Sequence, residues 1–489
     1  MLFNSLAYLL FFPAVTLLYF LLPHRWRPVH LLLASCFFYA AFVPAYLLVL
    51  GFTILVDYAA GLLIAQSRGR RRAAWLALSL VANVGVLAAF KYYNFLAGNV
   101  NDLLHALVGQ PPALPLLDVL LPIGLSFHTF QAMSYTIEVY RGRQPAERHL
   151  GIYALYVMFF PQLVAGPIER PQGLLPQFRE RHPFRYDDAT HGLRLILWGM
   201  FKKVVIADRL ALFTDPVFND PRHYSPVVVL LAAFFFSFQI FCDFSGYSDI
   251  AVGSARVMGF RLMQNFDRPY AARTVAGFWT RWHVSLSSWL RDYVYIPLGG
   301  NRVPPARWCL NIAVVFLLSG LWHGANWTFV WWGALHALYV VGGAGVDVLR
   351  ARLGFVTRPD RTPRWYGAVQ VVRTFSLVTF AWVFFRSRSL ADAFYIAGQL
   401  PRVPGQAGAW LAAGMPQPGT LPVTPGKLAY CLGLVIFLEA VHALHGEQPV
   451  FAGLRTRPVY LRWAVYYAFL AAILLAGVFN SRPFIYFQF

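Results

Sequence analysis

The feature that most constrains this chain is its succession of apolar runs, each about as long as a bilayer is thick. A hydrocarbon core of about 30 Å takes roughly 20 residues of helix to cross. Backbone polar groups in lipid must find partners within their own segment, which favours helix over irregular chain. Runs of this kind occupy residues 6–22, 29–43, 45–65, 73–90, 116–140, 150–164, 191–213, 226–258, 308–320, 327–349, 367–385, 428–445 and 460–479. They predict an all-α polytopic membrane protein with about 11–13 membrane elements, read as one transmembrane domain over residues 1–489. The run 150–164 is short enough to be re-entrant or strongly packed. After residue 90, the period of Asn94, Asn99, Asn101 and Asp102 suggests a helix lying along the interface. The Pro- and Gly-rich interval 401–425 reads as a linker or cap on the outer face. Composition agrees: hydrophobic residues are 58% of the chain, charged residues 13%, and mean hydropathy is +0.52. A soluble domain could not cover that much apolar surface.

The formal charge of +20 does not point to nucleic acid, because the basic residues sit in short loops between the apolar runs. There they orient the spans and meet anionic lipid. Arg25 and Arg27, the basic group 68–72, and Arg141, Arg143 and Arg148 fall on one side if the first five spans alternate. The positive-inside bias makes that side cytoplasmic and the N-terminus external. The basic loops 170–185, 261–273, 350–364 and 455–462 fit the same side if segments between them are partly re-entrant. The first run lacks a basic flank before it and a small-residue cleavage site after it, so it reads as a retained span. Cys36, Cys242, Cys309 and Cys431 have neither disulfide nor zinc spacing. No fixed-period repeat relates the two halves, which disfavours an inverted-repeat transporter moving an acyl group or lipid-linked sugar.

One block breaks the apolar pattern. From Asp243 to Trp327 the chain is polar, aromatic and histidine-bearing, with Arg281, His283, Arg291, Asp292 and His323 among apolar spans. Ionisable groups are expensive in lipid, so their presence asks for a use. His323 ends an apolar helix and is bracketed by Trp322, Gly324, Asn326 and Trp327, a setting that buries an imidazole among small residues and aromatic walls. A buried neutral imidazole can take a proton from an alcohol, or it can serve as a hydrogen-bonded bridge between helices. His283 lies in a short amphipathic segment with Trp279, Trp282, Trp289, Tyr293 and Tyr295, either as an interfacial anchor or as part of a site. His283, His323 and His336 have no metal-ligand spacing, so no metal is expected. Asp243, Ser245, Tyr247 and Asp249 are expected to pair with Arg256, Arg281 or Arg291. Lys202 and Lys203 read as a cytoplasmic helix end at the headgroups, and His128 and His336 as packing histidines.

The segments FWTRWHVSLSSWLRDYVYIPLGG (278–300) and GLWHGANW (320–327) resemble the two signature blocks of the membrane-bound O-acyltransferase family. FFPQLVAGPIERP (159–171), WGMFKKVVIADRLA (198–211), DFSGYSDIA (243–251) and the final FIYFQF (484–489) extend the resemblance from about residue 122 to the end. Thr280 departs from it, standing where a second basic residue is expected before Arg281. The chain is most similar to the bacterial branch that O-acetylates alginate, with the branch that D-alanylates teichoic acid as runner-up. The resemblance implies a central tunnel in the multi-pass bacterial cytoplasmic membrane, re-entrant helices around it, and His323 as catalytic histidine. His283 would line the donor side as second catalytic residue, binding the donor or polarising its carbonyl. Asn326, Trp322, Trp282, Arg291, Asp292 and Tyr295 are the expected substrate contacts. The donor would be acetyl-CoA or another acyl thioester, with no bound cofactor. The acceptor would be an extracytoplasmic protein or polysaccharide, with membrane lipids as the other partner.

Overall fold

The computed structural model describes residues 1–109, 114–118, 122–164, 166–354, 363–412, 421–446, 450–479 and 484–485, all helix or irregular chain with no strand among them. Eight of these helices are long and apolar enough to cross a membrane: Tyr46–Gln66, Gly69–Val108, Pro226–Val257, Pro305–His323, Trp327–Arg352, Arg364–Arg386, Pro425–His445 and Val459–Ala476. Leu6–Leu21 is apolar but shorter. The protein is an integral multi-pass membrane protein. Many large apolar side chains on these helices face outward, as lipid contact requires, among them Leu48, Val81, Ile436 and Leu475.

Two compact units make up the chain. The first comprises Met1–Ile196 with Tyr247–Met263. In it, Tyr46–Gln66, Gly69–Leu87 and Leu125–Tyr140 pack together. Their shared interior holds the buried Asp57 carboxylate, which accepts from Ser79 Oγ at 2.6 Å and Asn83 Nδ2 at 2.9 Å. Ser79 Oγ also meets Thr136 Oγ1 at 2.9 Å, and Thr53 Oγ1 meets His128 Nε2 at 2.6 Å. Such polar contacts hold helices together where lipid supplies no hydrophobic drive. The interval read as a separate interfacial helix is instead continuous with the fourth span, through a π-helical turn at Ala88–Tyr92. Its asparagines serve neighbouring backbone. Asn94 makes paired bonds with Leu117 N and O, both 2.8 Å, and Asn101 with Leu114 N and O at 3.0 and 2.9 Å. The run 116–140 is helical only from Leu125, and 119–121 lie outside the described residues. The run 150–164 is broken at Phe159 into Leu150–Met158 and Phe160–Leu163.

The second unit comprises Leu197–Gly246 with Gln264–Phe489. Here Lys202 and Lys203, read as facing the headgroups, are both buried within the protein in the π-helical turn Phe201–Ala207. Lys203 Nζ lies 2.8 Å from Asp208 Oδ1 and 2.5 Å from Asp243 Oδ1. Lys202 Nζ donates to Ser245 Oγ at 2.7 Å. Asp243 and Ser245 therefore take lysine partners from within the same unit and not the arginines expected. In the first unit Tyr247 bonds Asn4 Oδ1 and Arg256 pairs with Asp188; in the second Arg291 pairs with its neighbour Asp292. A lone lysine between two aspartates is buried with its charge compensated, which the linear spacing could not reveal. Asp243 Oδ2 also accepts from Ile485 N at 2.7 Å. Within 401–425, Val403–Ala412 is helical where a linker was expected, and 413–420 lie outside the described residues.

Candidate functional site

His323 is placed by a helical hairpin within the second unit. Pro305–His323 runs up to it and Trp327–Arg352 runs back, the pair packed along its length. The packing is close because glycines meet backbone. A Cβ on Gly320 would stand 2.3 Å from Phe329 O, and one on Gly333 would stand 2.4 Å from Phe316 O. The turn is closed by Asn326, whose Oδ1 accepts from Thr328 N at 2.9 Å and caps the second helix. Asn326 Nδ2 reaches Arg388 O at 3.4 Å. Asn326 is thus first a cap, and its side chain helps fix where the second helix begins.

His323 is 3% exposed, facing protein and not hydrocarbon. Its ring stands 4.9 Å from Trp322, 5.0 Å from Trp332 and 5.4 Å from Phe385, centroid to centroid, each edge-on. His283 also neighbours that indole, 5.9 Å from Trp322. Trp282, Trp332 and Trp382 complete the wall, with Trp382 5.0 Å from Trp282 and 5.8 Å from Trp332. The structure therefore gathers His323, Trp322, His283 and Trp282 in one aromatic cage. Trp332, Trp382 and Phe385 belong to it too. Nothing in the sequence marked them, because a tryptophan in an apolar helix looks the same facing a site or facing core.

His283 is held by Asn265. The two loop segments pair through Asp267 N to Arg281 O and Val284 N to Asn265 O, both 2.9 Å. Asn265 Oδ1 accepts from Ser285 N at 3.2 Å and from Ser285 Oγ at 2.9 Å, and it lies 3.1 Å from His283 Nδ1. An oxygen already accepting a backbone N–H is an acceptor toward the imidazole as well, so Nδ1 carries the proton and a neutral His283 keeps its Nε2 lone pair. His283 adopts φ 45°, the left-handed region that side chains other than glycine rarely enter, and such strain persists only where surroundings impose it. The cage's Trp332 also contacts the buried His336, ring centroids 5.0 Å apart, and His336 Nδ1 accepts from Trp279 Nε1 at 3.2 Å.

The remaining predicted contacts lie on a half-buried π-helical turn, Arg291–Tyr295. The Arg291 side chain is 61% exposed and pairs with Asp292 at 2.8 Å. Tyr295 Oη accepts from Trp308 Nε1 at 3.0 Å. These three do not share the ring contacts that join the two histidines. Phe241 and Tyr270, each 6.2 Å from the Trp282 ring, border a cavity of about 150 Å³ that Arg268, Glu439 and His442 also line.

Residues 117–385 match the family described as MBOAT, membrane-bound O-acyltransferase. That segment contains every residue of the cage, from Asn265 to Phe385. A probable alginate O-acetylase of Pseudomonas putida is 36% identical over the full length of both chains. The corresponding protein of Pseudomonas aeruginosa is 40% identical over 81% of this chain and 74% of its own. The chain belongs to the membrane-bound O-acyltransferase family. A peptidoglycan O-acetyltransferase of Helicobacter pylori is also similar, 36% identical over 77% of this chain and 73% of its own. As a family member this protein is a membrane-embedded O-acyltransferase, and the two signature-like blocks are the segments that carry the cage's two histidines.

Proposed function

We propose that this O-acyltransferase moves an acetyl group from acetyl-CoA in the cytoplasm to a hydroxyl of an exopolysaccharide or cell-wall polysaccharide outside a bacterial cytoplasmic membrane, handing it on with extracytoplasmic partner proteins. The observation that carries the reading is the pair of buried histidines that share one indole, Trp322, in an aromatic cage. His323 takes the proton of the acceptor hydroxyl as its oxygen attacks the thioester carbonyl. The carbonyl becomes a tetrahedral oxyanion, the C–S bond breaks, and the thiolate leaves protonated by the imidazolium. His283, with its proton committed to Asn265, offers an acceptor that orients the incoming hydroxyl or a donor N–H. That supports a binding role for it more than carbonyl polarisation, which needs a donor. Aromatic walls keep water from competing with the acceptor.

The test is thioester turnover by purified protein in detergent, with labelled acetyl-CoA and a soluble oligosaccharide acceptor. His323→Gln is expected to lose at least about 100-fold in turnover, the low end of general acid–base contributions, with its melting temperature unchanged. Wild-type-like turnover by a folded His323→Gln would overturn the assignment. Turnover only from an acyl carrier protein would replace the donor, as in D-alanyl transfer, and bond-free movement of label would support transport.

A further inference from the structure

The second unit carries a groove that the cage does not use. It is open, has a volume of about 790 Å³, and is walled by Leu230 and Phe234, by Phe375, Leu377 and Phe380, and by Leu432. These come from the membrane-length helices Pro226–Val257, Arg364–Arg386 and Pro425–His445. Among the described residues lining it, Arg373 is the sole charged one. Arg373 is exposed, and no hydrogen bond or ion pair joins it to the described residues. By contrast Arg386, the last residue of the same helix, pairs with Asp215 at 2.9 Å.

Arg373 lies nine residues beyond Arg364, the first residue of its helix, about 14 Å along the axis. A guanidinium at that depth is costly unless it finds an anion or reaches the headgroups on its long stem. The basic loop before the helix, with Arg350, Arg352 and Arg364, marks the leaflet it faces as the one where basic residues meet anionic lipid. A wall of leucine and phenylalanine suits hydrocarbon, and one cation at its rim suits a phosphate. We propose that the groove is a binding site for an anionic phospholipid, its acyl chains lying against Phe234, Phe375 and Phe380 and its phosphate on Arg373.

The protein is reconstituted into vesicles of equal parts phosphatidylglycerol and phosphatidylcholine, extracted in mild detergent, and its retained lipid identified by native mass spectrometry. Wild type is expected to retain phosphatidylglycerol over phosphatidylcholine by about fivefold, the scale of one arginine near anionic lipid. Arg373→Gln should keep lipid but lose the preference, Leu377→Trp should fill the groove and lose both lipids, and Arg350→Gln should match wild type. An unchanged preference in Arg373→Gln, lipid retained undiminished by Leu377→Trp, or a lipid-free dimer of the wild type would each overturn the proposal.

Discussion

At the scale of single residues, the histidines were legible and their support was not. His283 and His323 were singled out by the resemblance of their segments to the family's signature blocks, since an imidazole in an apolar run can equally be a packing group, and the structure buries both in one cage. Asn265 lies 18 residues before His283 in sequence, yet its one carboxamide oxygen meets three groups of the His283 loop. If Asn265 acts through His283, its effect must vanish when the imidazole is gone. Asn265→Ala is expected to lower turnover about tenfold or more, and the double variant with His283→Gln to be no worse than His283→Gln alone. Activity losses that simply multiply would assign Asn265 a role independent of the imidazole. Melting curves should separately show Asn265→Ala losing roughly 1–3 kcal/mol, because buried donors are left without an acceptor.

At the scale of elements, the helical hairpin that carries His323 depends on close backbone approach at Gly320 and Gly333. In each case the obstacle to a methyl is a facing carbonyl, which cannot swing aside as a side-chain tip can. Gly320→Ala and Gly333→Ala are each expected to cost about 1–3 kcal/mol by overpacking, read as a fall in melting temperature. Gly320→Ala, three residues from His323, should also lower turnover, whereas Gly333→Ala should affect stability first; equal stability to wild type in both would show that the hairpin is not sterically tight. Most spans were legible because lipid demands length and apolarity, and 305–352 and 364–386 fell close to their expected places. Breaks and continuations were not, since the π-helical turn at Ala88–Tyr92 and the interruption at Phe159 leave the hydropathy profile unchanged. Nor was the burial of Lys203, whose charge looks interfacial until Asp208 and Asp243 are brought to it by folding.

At the scale of the whole molecule, unfolding should carry a pH signature from a carboxyl that lies outside the membrane-spanning helices. Glu169, 6% exposed, accepts from Met263 N at 2.6 Å and so fastens the turn after residue 165 to the segment that follows Val257. Burial pushes its carboxyl up from 4.5 to about 7, outweighing the Met263 hydrogen bond and the Arg170 charge, both of which pull it down. Between those values the folded chain holds a proton that the unfolded chain releases. The contribution of this group to stability is therefore complete below pH 4.5 and is lost as pH rises toward 7, by about 3 kcal/mol at 1.4 kcal/mol per unit. Glu169→Gln keeps an acceptor for Met263 N without the ionisation. Thermal unfolding of wild type and variant in the same detergent at pH 5 and pH 7.5 isolates the effect from other titrating groups. The variant should gain on wild type as pH rises, and parallel curves would mean that Glu169 ionises equally in both states.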